Sequence, residues 1–145
     1  MKSKYEMLVQ ALDNICKDAP TNFSSYNLDN LNDENKDRIR AKAYIHLFLL
    51  AKFGIQKFIE RHNYITDGAQ DGGIDAFYID RTSKIIYIIQ SKYRTSQENY
   101  ENKELNPGEV VSMDVKRILD GEKMDCLGIP YNGHICRLQE TLANL

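Results

Sequence analysis

Apolar residues recur at helical spacing in the first stretch of the chain. Met7, Leu8, Leu12 and Ile15 fall on this spacing within residues 3–18, predicting a helix that Pro20 ends. Residues 21–35, rich in Asn, Asp and Ser, read as a loop whose end offers Asn32 and Asp33 as helix caps. A longer helix is predicted over 36–53. Ile39, Ala43, Leu47, Leu50 and Ala51 form its inward stripe, and Gly54 is its stop. A short helix over 55–61 is expected to turn Ile55, Phe58 and Ile59 inward, and residues 63–66 read as a brief strand. The period then changes. Residues 74–79 and 84–93 read as two strands joined by a close turn, an antiparallel hairpin. The second strand is apolar on both faces from Ile85 to Ile89, the pattern of a central strand covered on both sides. Residues 94–109 are polar and loop-like, with Pro107 able to precede a helix. Residues 110–119 carry Val111, Val115, Ile118 and Leu119 at helical spacing. After a loop, residues 134–145 form a last amphipathic helix with Ile135, Leu138 and Leu142. The predicted class is α+β, with helices packed on a small mixed sheet around a central β-hairpin.

Bulk numbers narrow the partners rather than the fold. With 145 residues, the chain is read as one domain: an N-terminal helix and loop (1–33) followed by a core (34–145). Hydrophobic residues make up 42% and charged residues 28%, as in ordinary soluble proteins. A net charge of −2 gives no global basic signature, so nucleic-acid binding would need a local patch or a metal. Cys16, Cys126 and Cys136 are too few and wrongly spaced for a disulfide framework. His134 and Cys136 lack the two further ligands of a zinc site. No signal peptide and no apolar run of about 20 residues is present, so the expected location is the cytoplasm, away from membranes.

The hairpin carries the chemistry. Side chains two apart on a strand share a face, so Gln90 and Lys92 point together and Ser91 points opposite. Pairing about the turn sets Asp75 against the neighbourhood of Gln90. A hard cation such as Mg²⁺ takes oxygen ligands. Asp75 can offer a carboxylate, Gln90 an amide oxygen and Ser91 its backbone carbonyl. Lys92 can orient or help deprotonate an attacking water and stabilise charge growing on a phosphate. Gly72 and Gly73 remove side-chain bulk just before Asp75, leaving room for a phosphate backbone.

The stretches "DGGIDAFYID" and "IIYIIQSKYR" resemble the PD-(D/E)XK nuclease superfamily, in the Asp…Gln-x-Lys variant of Mrr-like restriction endonucleases. "ITDGAQDGGIDAFYID", "IIQSKYRTS" and "MDVKRILDGE" are also similar to the N-terminal region of abortive-infection phage-resistance (AIPR) proteins. The resemblance implies a restriction-endonuclease-like core and a Mg²⁺-dependent (or Mn²⁺-dependent) endonuclease acting on DNA, with RNA as second choice, in restriction or phage defence. It makes Asp75 a metal ligand, Gln90 the stand-in for a second acidic ligand, and Lys92 the catalytic lysine. An auxiliary acid from a preceding helix or loop is expected, with Glu60 and Asp71 as candidates. Gln in place of Glu lowers the negative charge, so substrate phosphates are expected to complete a weak metal site. The family core runs helix, three strands, helix, strand. Its last strand is not evident here, so either the tail around Tyr131 supplies it or the chain is the N-terminal fragment of a longer protein. A missing strand would leave an edge for homodimer formation.

Lys84 and Arg94, with Lys92, Lys116 and Arg117, are the candidate nucleic-acid-binding cations. Tyr78, Tyr87 and Tyr93 are expected to pack the sheet, with stacking on bases as the alternative. The competing reading is an inactive nuclease-like module that binds nucleic acid or protein, or an oligomerisation domain of a larger defence protein.

Overall fold

The computed structural model describes residues 1–145, apart from the side chain of Val110. The elements run α1 (Lys4–Lys17), a 3-10 turn (Ser24–Tyr26), α2 (Asp33–Phe53), α3 (Phe58–Asn63), β1 (Ala76–Asp80) and β2 (Ile85–Ile89). They continue with α4 (Gln97–Asn102), α5 (Pro107–Val111), α6 (Val115–Leu119) and α7 (Gly133–Ala143). This is a mixed α+β chain, mostly helical, with a two-stranded antiparallel hairpin. No helix among the described residues is long and apolar enough to cross a membrane. Two units divide the chain: Met1–Asn63 with Ser91–Glu104, and Tyr64–Gln90 with Leu105–Leu145.

The first unit is built from helices with strong ends. Ser3 Oγ accepts from the Glu6 N–H and the Glu6 carboxylate accepts from the Ser3 N–H, a reciprocal cap for α1. Asn32 caps α2, and Gly54 ends it in the left-handed region at φ 69°. Leu12, Ile15 and Cys16 of α1 share a core with Tyr26, Ala43 and Phe58. Arg40 grips Asp13 through two nitrogens, at 2.8 and 3.0 Å, and so fastens α1 to α2. Tyr93 packs its ring on Tyr44, so it belongs to this helical layer rather than to the sheet.

Helix faces differ in part from the expected stripes. Met7, Ala51 and Ile59 are exposed, whereas Ile45, His46 and Leu49 are buried. A polar-looking histidine sits inside, which rotates the buried face of α2. His46 is stacked on Phe58 and hydrogen-bonded to Tyr26 Oη at 3.0 Å. Arg61, itself only 2% exposed, aims Nε at His46 Nδ1 (3.4 Å) and gives Nη1 to the carbonyls of Ile55 and Gln56. A guanidinium only donates, so Nδ1 is the acceptor and His46 carries its proton on Nε2, towards Tyr26. Burial above all, then the charges of Arg61 and His62, push the His46 pKa down to about 3.

In the second unit β1 and β2 pair as Ala76↔Ile89, Tyr78↔Tyr87 and Asp80↔Ile85, the register expected from the turn. Asp80 Oδ1 closes that turn by accepting from the N–H groups of Thr82 and Ser83. The expected mixed sheet with β2 at its centre is not what forms. Residues 64–67 run against the other side of β1. Phe77 N–H reaches Tyr64 O, Thr66 N–H reaches Asp75 O, and Ile65 bridges Ala76. β1 is therefore the inner strand, and among the described residues β2 is an edge with Ile85 and Ile86 exposed.

Ile74, Phe77, Ile118, Tyr131, Ile135 and Leu138 make this unit's core. The helix expected over 110–119 is broken. Asp114 gives its N–H to Gly72 O (2.8 Å) and leaves helical geometry, so α5 and α6 are separate and Val111 is exposed. The polar segment after Arg94 forms α4, started by the Ser96 cap. Around Tyr131 there is no strand, only a single Met124↔Pro130 bridge; the tyrosine is a core residue whose hydroxyl donates to Asp114 (2.9 Å).

Candidate metal centre

The loop between Ile65 and β1 folds back on itself. Asp71 directs it. Its Oδ1 accepts from Gly73 N–H (2.8 Å) and its Oδ2 from Gly68 N–H (3.1 Å). Asp75 then enters the ladder out of step. Its N–H goes to Ile89 O (2.9 Å), the carbonyl of the residue already paired with Ala76, so two residues of one strand face one of the other. That is a β-bulge, a device that re-aims side chains. The Asp75 carbonyl points the other way and accepts from both Thr66 N–H and Asp67 N–H.

These constraints bring three half-buried carboxylates together. Asp67, Asp71 and Asp75 each offer an oxygen, and the three atoms lie within 4.8 Å of one another. Two full negative charges at that distance repel by about 1 kcal/mol at the dielectric of water and about 3.5 kcal/mol at an effective value of 20. An all-oxygen, all-anionic donor set fits a hard divalent cation, Mg²⁺ or Mn²⁺, and offers nothing to a soft one.

Asp75 and Asp71 are thus grouped, and Asp67 joins them. Asp67 is not among the auxiliary candidates read from the sequence, although it lies in the same approaching loop as Asp71. Gln90 directly follows β2, half-buried, with its amide nitrogen 3.7 Å from where a Cβ on Gly73 would stand. The strand expected to run to residue 93 ends at Ile89. Residues 90–94 are not in a strand, so alternation no longer fixes which way Lys92 points. Ser91 (half-buried) and Lys92 (exposed) open the segment counted with the first unit, where Glu60 also lies, exposed on α3.

The glycines have a packing role that the sequence did not show. A Cβ on Gly72 would stand 2.7 Å from Ile118 Cδ1 and 3.2 Å from Tyr131, and one on Gly73 would stand 3.3 Å from Met113. Protein, not open space, fills these directions. Both residues also have positive φ, 64° and 77°.

The expected basic patch is similarly reduced. Lys84 sits at the turn, the length of β1 away from Asp75, about 17 Å at strand spacing. Arg94 donates to Glu104 O (3.2 Å), Lys116 is paired with Asp120, and Arg117 with Glu122. Tyr78 and Tyr87 lie across from each other on the hairpin with ring centroids 6.3 Å apart, and Tyr64 abuts Tyr78.

No protein-family model, curated protein or solved structure matches the chain.

Proposed function

We propose that this chain is a Mg²⁺-dependent phosphodiesterase, an endonuclease of the PD-(D/E)XK kind acting on DNA in restriction or phage defence. One observation carries the reading: the convergence of Asp67, Asp71 and Asp75 carboxylates at the bulged entry to a hairpin whose other strand runs into Gln90-Ser91-Lys92. Asp75, with Asp71 and Asp67, would hold the cation, and the resemblance would add Gln90 and the Ser91 carbonyl as neutral oxygen ligands. When bound, Mg²⁺ or Mn²⁺ supplies charge to neutralise a scissile phosphate and to acidify a water. Lys92 has its own part, to orient the attacking water and to share the negative charge that grows on the phosphate oxygens. Three carboxylates answer the shortage of charge left by Gln90, so the cation need not wait for substrate.

Plasmid and single-stranded DNA and RNA, incubated with the protein and Mg²⁺ or Mn²⁺, test this reading. Cleavage by the wild type, lost in Lys92→Ala and Asp75→Asn with both variants folded, is the expected result. Cleavage unchanged in both variants, or none by the wild type, would sink it. A second reading, a non-catalytic binding or oligomerisation module, is favoured by two features: the open β2 edge with Ile85 and Ile86 exposed, and the prior pairing of Lys116 and Arg117.

A further inference from the structure

Asn132 reaches the acidic loop from the start of α7. Its backbone N–H donates to Gln70 O (2.9 Å), and its Nδ2 donates to the carbonyls of Thr66 and Ala69, both at 3.1 Å. Its Oδ1 meanwhile accepts from the N–H groups of His134 and Ile135 and caps α7. The two ends of one amide therefore do different work, the oxygen on the helix and the nitrogen on the loop. Thr66 and Ala69 flank Asp67, and Gln70 precedes Asp71. Gln70 is also held at φ 60°, a conformation that a non-glycine residue keeps only when its surroundings enforce it.

We propose that Asn132 is a positioning residue for the cation: by pinning residues 66–70 it sets the separation of the Asp67 and Asp71 carboxylates. This rests on the reading of Asp67, Asp71 and Asp75 as a cation site. Like charges drive those carboxylates apart. The Asp71 side chain closes the loop from within, and Asn132 closes it from outside. A ligand held by such outer contacts loses about 10–100-fold in metal affinity when they are removed.

Ser and Asp at position 132 can both still cap a helix, but neither has a side-chain N–H to give to Thr66 and Ala69. Asn132→Asp adds a negative charge, which by itself would attract a cation. A weakening in that variant can come only from lost positioning. The experiment is Mn²⁺ titration by calorimetry of the full chain, well below its unfolding temperature, in wild type, Asn132→Ser, Asn132→Asp and Asp75→Asn. We expect Asp75→Asn to lose binding and both Asn132 variants to bind about tenfold or more weakly. Amide exchange at Gly68 and Gly73 should accelerate while helix content is kept. Affinity equal to wild type in Asn132→Ser, or tighter in Asn132→Asp, overturns the positioning role and leaves the cation site standing. Absence of Mn²⁺ binding in the wild type overturns both.

Discussion

Replacing Gly72 by alanine separates two uses of that glycine. If it only clears a path for a phosphate, stability should hardly change. If it lets the loop lie against Ile118 and Tyr131, the added methyl meets them. Ile118 is 1% exposed and Tyr131 5%, so neither side chain has solvent to move into, and Asp114 Cβ stands 3.3 Å away on a third side. The left-handed conformation at φ 64° costs a non-glycine residue about 1–2 kcal/mol, and overpacking a filled site adds about 1–3 kcal/mol. Gly72→Ala should therefore destabilise by about 2–5 kcal/mol. Gly121 in the same unit provides the control. Its φ is 82° and a methyl added there would have nothing within 4 Å, so Gly121→Ala carries only the backbone term, about 1–2 kcal/mol. Urea unfolding followed at the amide resonances of Ile118 and Ile135 reads this unit directly. Should the two variants agree within about 0.5 kcal/mol, the packing argument for Gly72 is wrong.

Two further outcomes are expected. His46 is held neutral in the folded chain with a pKa pushed to about 3, against about 6.5 when unfolded. The unfolded chain thus takes up a proton that the folded chain refuses. Stability is full above pH 6.5 and is lost as pH falls towards 3, by up to about 1.4 kcal/mol per pH unit. Denaturation at pH 7 and pH 5 should differ accordingly, and a His46 imidazole that titrates near 6.5 by NMR would contradict it. Asp67→Asn removes a ligand and should cut Mn²⁺ affinity about tenfold or more. Thermal unfolding with and without Mn²⁺ measures this; a stabilisation by Mn²⁺ as large as in the wild type would remove Asp67 from the site.

The hairpin could be read from the sequence because strand alternation and a closed turn leave little freedom in register, and Tyr78↔Tyr87 follows from them. Which strand lies inside could not. The partner of β1 is a four-residue stretch, Tyr64 to Asp67; the brief strand expected at 63–66 overlaps it, but a run this short carries no period that says which strand it pairs with. It is held by Thr66 and Asp71, contacts that exist only once the loop has closed. Ile85 and Ile86 look like core residues by composition, yet edge position decides their exposure. Helix spacing likewise marked the existence of α1, α2 and α7 but not the phase of every face, as the exposed Met7 and Ala51 show. The well-patterned helix breaks at Asp114, whose N–H goes to Gly72 O rather than to a helical carbonyl, a long-range contact with no local signal. At the candidate site, Asp75 was visible from its place at the strand entry. Asp67 became its neighbour through backbone bonds that carry no side-chain signature.

The chain crosses between its two units three times, after Asn63, after Gln90 and after Glu104. During synthesis α1, α2 and α3 emerge first, but the segment carrying Tyr93, which covers Tyr44, arrives only after the hairpin has been made. The hairpin in turn emerges before Ile118 and Ile135, the residues that complete its core. Each unit thus spends part of its birth with an unfinished apolar surface, waiting on translation of the other. Neither can be excised as one continuous piece, so cutting the gene between Asn63 and Tyr64 yields two incomplete halves rather than two working parts.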